Sequence, residues 1–244
     1  MNGLNALISL QYTKASPVDE DGNTLYAGSR KNAIDHLETA YVNDVRGDYH
    51  MTLYHGSNTA NIKVLEPNQA DHDRPYVYMT TIDVVAAFYL CNAVERPYYW
   101  FPYGFESGSN IPIYHELYPN ALKEVSEGVS GYIYEVFAEE DQVIPFKNIP
   151  CARLATESVE VTKCARVENA YELFMEYVKQ GKMKIGHFED KTKQQLEWWY
   201  SCCAEYLKEK NMIETPECSY ALFIKEKLPQ AWEKYERMLG NEQN

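Results

Sequence analysis

Apolar and polar positions change rhythm along this chain. Between residues 51 and 167 the apolar residues fall in short runs, MTLYH (51–55), YVYMTT (76–81), GYIYEVFA (131–138) and VEVTKCARV (159–167). Clusters of Gly, Pro, Asn and Asp separate them, and this pattern predicts half-buried β-strands joined by turns. One helix interrupts the strands, because Thr81 or Asp83 is placed to cap the apolar run VVAAFYLCNAV (84–94).

From residue 168 the spacing becomes helical. In NAYELFMEYVKQG (169–181), Ala170, Leu173, Phe174, Tyr177 and Val178 share one face, and Gly181 is placed to end the helix. In KTKQQLEWWYSCCAEYLKEKNM (191–212) the stripe is Leu196, Trp199, Tyr200, Cys203, Tyr206 and Leu207, and a last helix over 219–239 is cut by Pro229. Near the other end, a polar loop leads into KNAIDHLETAYVND (31–44), whose Ile34, Leu37 and Tyr41 stand at helical spacing. The expectation is an α+β protein: a partly helical N-terminal extension over 1–50, a strand-rich core over 51–180 and a helical segment over 181–244 packed on that core.

Composition narrows the partners. The 244 residues carry a formal net charge of −13 with no basic run, a field that repels nucleic-acid backbones and anionic membranes. One or two local arginines are still enough to hold a small anionic ligand. Six cysteines, Cys91, Cys151, Cys164, Cys202, Cys203 and Cys218, form no C-x-x-C pair and no zinc-ligand spacing with the histidines. Free thiols, no metal and a cytoplasmic setting are therefore expected; MNGLNALISLQYT shows no basic stretch or cleavage site of a secretory leader. The adjacent Asp71, His72 and Asp73 read as a solvated loop. PYYWFPYGF (97–105), with six aromatics in nine positions, reads as a hydrophobic plug or as the wall of a pocket. Phosphate loops, nucleotide-fold glycine fingerprints, the G-x-S-x-G elbow and the H-E-x-x-H helix are all missing from the sequence.

The chemistry concentrates at LYHGSNTANI (53–62) and YVYMTTIDVVAAFY (76–89). His55 ends a strand; Gly56 offers backbone that a ligand can approach closely. Tyr78 in the next strand and Tyr89 in the helix after it stand eleven positions apart, a spacing that can bring two phenol rings to one cleft around a flat aromatic guest. Taken alone, each of these side chains reads as packing rather than as a ligand contact.

These two stretches resemble the first and second motifs of the poly(ADP-ribose) polymerase-like, diphtheria-toxin-type ADP-ribosyltransferases. The resemblance covers about residues 51–170 and implies that family's mixed β core of split sheets. It implies NAD as the substrate and no metal, with His55 holding the adenosine ribose and the Gly56 backbone, followed by Ser57, gripping the nicotinamide amide. Tyr78 and Tyr89 would sandwich the nicotinamide ring. Arg74, in the loop between the motifs, is placed to neutralise the pyrophosphate. The family's third element is a carboxylate on the 2′-hydroxyl of the nicotinamide ribose, which stabilises the cation that develops in the transition state. Glu157 is the first candidate for it in ATESVEVTKCARV, with Glu160 and Glu135 behind. The chain departs from the family twice: Ala86 stands where a serine is common, and HDRPYV replaces a glycine-lysine-glycine lead-in. The resemblance implies mono-ADP-ribosyl transfer to an acceptor such as a protein, or NAD hydrolysis. Two alternatives are a binding or interaction module of the same fold without turnover, and NAD-dependent removal of an RNA 2′-phosphate, which the −13 charge disfavours.

Overall fold

The computed structural model of this chain describes residues 41–43, 49–70, 73–91, 103–106, 108–146 and 149–240, with side chains from residue 51 onward. Strands β1 (Tyr41–Asn43), β2 (Tyr49–Ser57), β3 (Val64–Leu65) and β4 (Val77–Thr80) precede the short helix α1 (Asp83–Phe88). Next come β5 (Tyr103–Phe105), β6 (Pro112–His115), helix α2 (Ala121–Ser126), β7 (Gly131–Glu139), β8 (Ile144–Pro145), β9 (Ala152–Ala155), β10 (Val159–Glu160) and β11 (Lys163–Val167). The remainder is α3 (Ala170–Lys179), β12 (Lys184–Gly186), α4 (Lys193–Glu209), α5 (Ser219–Lys227) and α6 (Pro229–Gly240). The class is α+β.

A seven-stranded sheet of antiparallel pairs forms the centre, in the order β11-β7-β2-β4-β9-β8, with β1 also paired to β2. Alternation along β2 sorts its side chains to two faces. Met51 and Leu53 join Val77, Met79, Val136 and Ala155 in one core, covered by Leu65 of the two-stranded β3–β10 sheet. Tyr54 and Ile133 meet the other core, where Val84, Ala86, Ala87 and Phe88 of α1 pack with Phe174 and Tyr177 of α3. A third sheet joins β12 to β6 in parallel and β6 to β5 antiparallel. Helices α4–α6 gather around Trp199, Cys203, Tyr206, Ile224 and Tyr235, and they pack on Leu117 and Tyr118 just past β6. Trp199 Nε1 donates to the Leu117 carbonyl at 2.9 Å, which ties that layer to the core.

Most elements follow the expected pattern. Asn169 caps α3 by accepting from Tyr171 N, Gly181 takes φ +72°, Thr192 and Gln195 form the capping box of α4, and the 219–239 helix breaks before Pro229. Three expectations change. Tyr41–Asn43 is strand, not helix, and pairs with β2, so the segment before 51 contributes to the sheet; the rest of that expected helix lies outside the described residues. Within the run 84–94 the helix ends at Phe88 and Tyr89–Leu90 turn away, residues 92–94 lying outside the described residues, and its N-cap Ile82 makes no side-chain cap. Five of the six α1 residues are buried, so packing rather than capping holds it. VEVTKCARV is two strands, because β10 pairs with β3 while β11 pairs with β7. Asp71, His72 and residues 97–102 of the aromatic stretch lie outside the described residues.

Candidate functional site

His55 sits near the C-terminal end of β2, across from Tyr134 of β7. Its Nδ1 lies 2.8 Å from the Tyr78 carbonyl oxygen on the neighbouring strand. A carbonyl can only accept, so Nδ1 carries the proton and Nε2 of the neutral ring keeps a lone pair. Burial pushes this imidazole below its usual range, with the bond to Tyr78 a smaller opposing effect, so the neutral form is favoured.

The register that sets Tyr54 across from Thr80 also sets Gly56 across from Tyr78, on the face that meets α1. A Cβ on Gly56 would stand 1.9 Å from the Ala86 carbonyl oxygen and 3.5 Å from Tyr89 Cβ. The missing side chain therefore makes room for the end of α1, where sequence alone suggested room for a ligand. Tyr89 is the C-cap of that helix and is 52% exposed. Gly56, Tyr78 and Tyr89 thus share one face, and His55 alternates to the other. Ser57 is held locally, its Oγ accepting from Thr59 N at 3.1 Å.

Arg74 joins the tyrosine face indirectly. Its Nε donates to the Tyr76 hydroxyl at 3.2 Å and its guanidinium lies 5.4 Å from that ring, while the same hydroxyl donates to Asp73. Tyr76 in turn packs edge-on against Tyr78, with centroids 6.3 Å apart. Arg74 itself is exposed.

The three carboxylates separate clearly. Glu157 is exposed in the bend after β9, and the pairing of Val77 with Ala155 brings that bend to the same sheet end as Gly56 and Tyr78. Glu160 is exposed in β10, across from Val64. Glu135 stands across from Tyr54 and from Lys163, whose Nζ is 2.7 Å from its Oε1.

A second group of polar residues lies at the ends of β6 and β12. Glu116 is 4% exposed. Its Oε1 accepts from Leu122 N at 3.2 Å; its Oε2 is 3.2 Å from His187 Nδ1 and 3.4 Å from Phe188 N. Beside it, burial first and the charge of Lys191 second push His115 down to about 4. Sequence reasoning missed this group because its two halves, Glu116 and His187, lie 71 residues apart. The available signal was a carboxylate set inside the apolar run IPIYHELY (111–118). All six cysteines are free, and among the described residues no helix is long and apolar enough to cross a membrane.

No family model, no curated protein and no solved structure matches this chain.

Proposed function

We propose that the end of the central sheet is an NAD site and that the protein is an ADP-ribosyltransferase-like enzyme, transferring one ADP-ribose to an acceptor or to water. The observation that carries this reading is the neutral His55, its proton committed to the Tyr78 carbonyl, beside a glycine flanked by two tyrosines. An imidazole in that state offers the Nε2 lone pair to a ribose hydroxyl, and that is the role given to it here. NAD would straddle the strand end, nicotinamide beside Tyr78 and Tyr89 at the edge of the α1 turn that covers Gly56, adenosine on the face of His55. Arg74 and Ser57 would serve the pyrophosphate and the nicotinamide amide.

The bond broken is the one from the nicotinamide nitrogen to the ribose anomeric carbon. Its electron pair leaves with nicotinamide, the acceptor nucleophile or water bonds to the anomeric carbon, and one proton is released. Glu157 at the same sheet end is the carboxylate proposed to stabilise the developing cation. The acceptor is of the protein class, the setting cytoplasmic and nucleic acid not a partner, in keeping with the −13 charge.

Two observations favour a second reading, a nucleotide-binding module without turnover: Glu135 is already engaged by Lys163, and Ala86 supplies no hydroxyl near Gly56. Incubation with NAD and measurement of free nicotinamide separates the two. Release by wild type that collapses in Glu157→Gln supports the enzyme with that carboxylate. A rise in Tm with NAD and no nicotinamide supports the module. Neither response would sink both.

A further inference from the structure

The parallel pairing of β6 and β12 ends the two strands side by side, Gly186 against His115, and Glu116 N bonds the Gly186 carbonyl at 2.9 Å. A Cβ at Gly186 would stand 2.8 Å from His115 Nδ1, so glycine permits the close approach of the strand ends. The residues just beyond them, Glu116 and His187, are thereby brought together, and the turn Phe188–Asp190 curls Glu189 back toward the pair. One ligand atom from each of Glu116, His187 and Glu189 lies within 4.8 Å of the others.

We propose that Glu116, His187 and Glu189 form a binding site for a divalent transition cation of the zinc type. Geometry carries it. Two ligand atoms each held about 2.0–2.1 Å from a tetrahedral ion stand about 3.3 Å apart. Glu116 Oε2 and His187 Nδ1 are already 3.2 Å apart. The buried carboxylate is aimed by two backbone N–H donors, those of Leu122 and Phe188, so one ligand is fixed before any ion arrives. His187, with 55% of its side chain exposed, and the exposed Glu189 close the set by side-chain rotation. Among the described residues, His187 Nδ1 stands within 4.0 Å of Glu116, and the charge of Lys191 also acts on this carboxylate. An imidazole among the donors selects zinc, cobalt or nickel over calcium and magnesium, which prefer oxygen alone. Two carboxylates balance the double charge of the ion, and three protein ligands leave a fourth position for water.

The test uses the full chain after chelator treatment, with Zn2+ uptake followed by calorimetry and Co2+ followed by its visible absorption. The expected result is one equivalent of Zn2+ and a Co2+ spectrum without a thiolate charge-transfer band. His187→Gln and Glu189→Gln alter exposed groups and should keep the circular dichroism of wild type, yet weaken uptake by about tenfold or more, as loss of one ligand does. No uptake of Zn2+ in molar excess, a thiolate band, or equal affinity in the folded variants would overturn the site. Nicotinamide release does not enter this readout, so its outcome is separate from that of the NAD reading.

Discussion

Two strand ends of this molecule each carry a histidine, and they are built on opposite principles. At the end of β2, His55 is neutral, held by one carbonyl of the next strand, and its neighbours are a glycine and tyrosines. At the ends of β6 and β12, His187 faces a buried carboxylate already oriented by two backbone donors. The first arrangement suits a hydroxyl-rich, flat ligand that asks for hydrogen bonds and stacking. The second suits a positive charge. The same side chain is turned to different ends by what its ring nitrogen meets, a carbonyl in one case and a carboxylate in the other.

The comparison breaks most severely at the glycine. Gly56→Ala drives a Cβ into the Ala86 carbonyl, so α1 must shift, and a loss of about 3 kcal/mol is expected. Calorimetry should then show a Tm lower by roughly 6–12 °C for a chain of this size. An unchanged Tm would mean that α1 does not pack on β2 as described.

Next in size is Glu116→Ala, which leaves the N–H groups of Leu122 and Phe188 without their acceptor in a buried place. A cost of about 2 kcal/mol is expected in urea unfolding, with less for Glu116→Gln, whose amide oxygen can serve Leu122. Equal stability of the two variants would show that this carboxylate does not hold the turn.

A smaller effect is the pH dependence that His55 brings. The folded-state pKa of His55 is lowered below the unfolded value of about 6.5, so the unfolded chain binds the proton more readily. This group's contribution to stability is therefore present above pH ~6.5 and declines as pH falls from there toward the folded pKa. His55→Gln should flatten that part of the stability profile and abolish any Tm increase given by NAD. His187→Gln should leave the NAD response intact. A profile steeper in His55→Gln than in wild type would contradict the buried neutral imidazole.

The smallest stability effect belongs to Glu157→Gln, within about 0.5 kcal/mol because the side chain is exposed. Its consequence is expected in nicotinamide release alone. If release persists there and falls in Glu160→Gln, the carboxylate lies one strand further along.

How much of this was legible beforehand depends on how local the determinants are. Asn169 and Thr192 accept from N–H groups two and three residues on, and Gly181 and Pro229 act on their own backbone, so the helix ends could be read from sequence. The strands β2, β4 and β7 could be read from alternation for the same reason. α1 was misjudged in length, because its short run of helix is held by the sheet and α3 rather than by its own caps. Tyr78 and Tyr89 were visible as a pair, but the purpose of Gly56 was not, since Ala86 stands thirty positions away. Glu116 and His187 gave no joint signal, for they meet only through the parallel pairing of β6 with β12.

By itself the sequence determined the class, the run of strands before helices, and the residue types available at each strand end, because these depend on periodicity and on groups a few positions apart. Only the tertiary structure decided which face each side chain occupies, which backbone must be glycine, and which acid meets which histidine. Those outcomes depend on strand register, where a shift of one residue would exchange every face, and on contacts whose partners lie far apart along the chain.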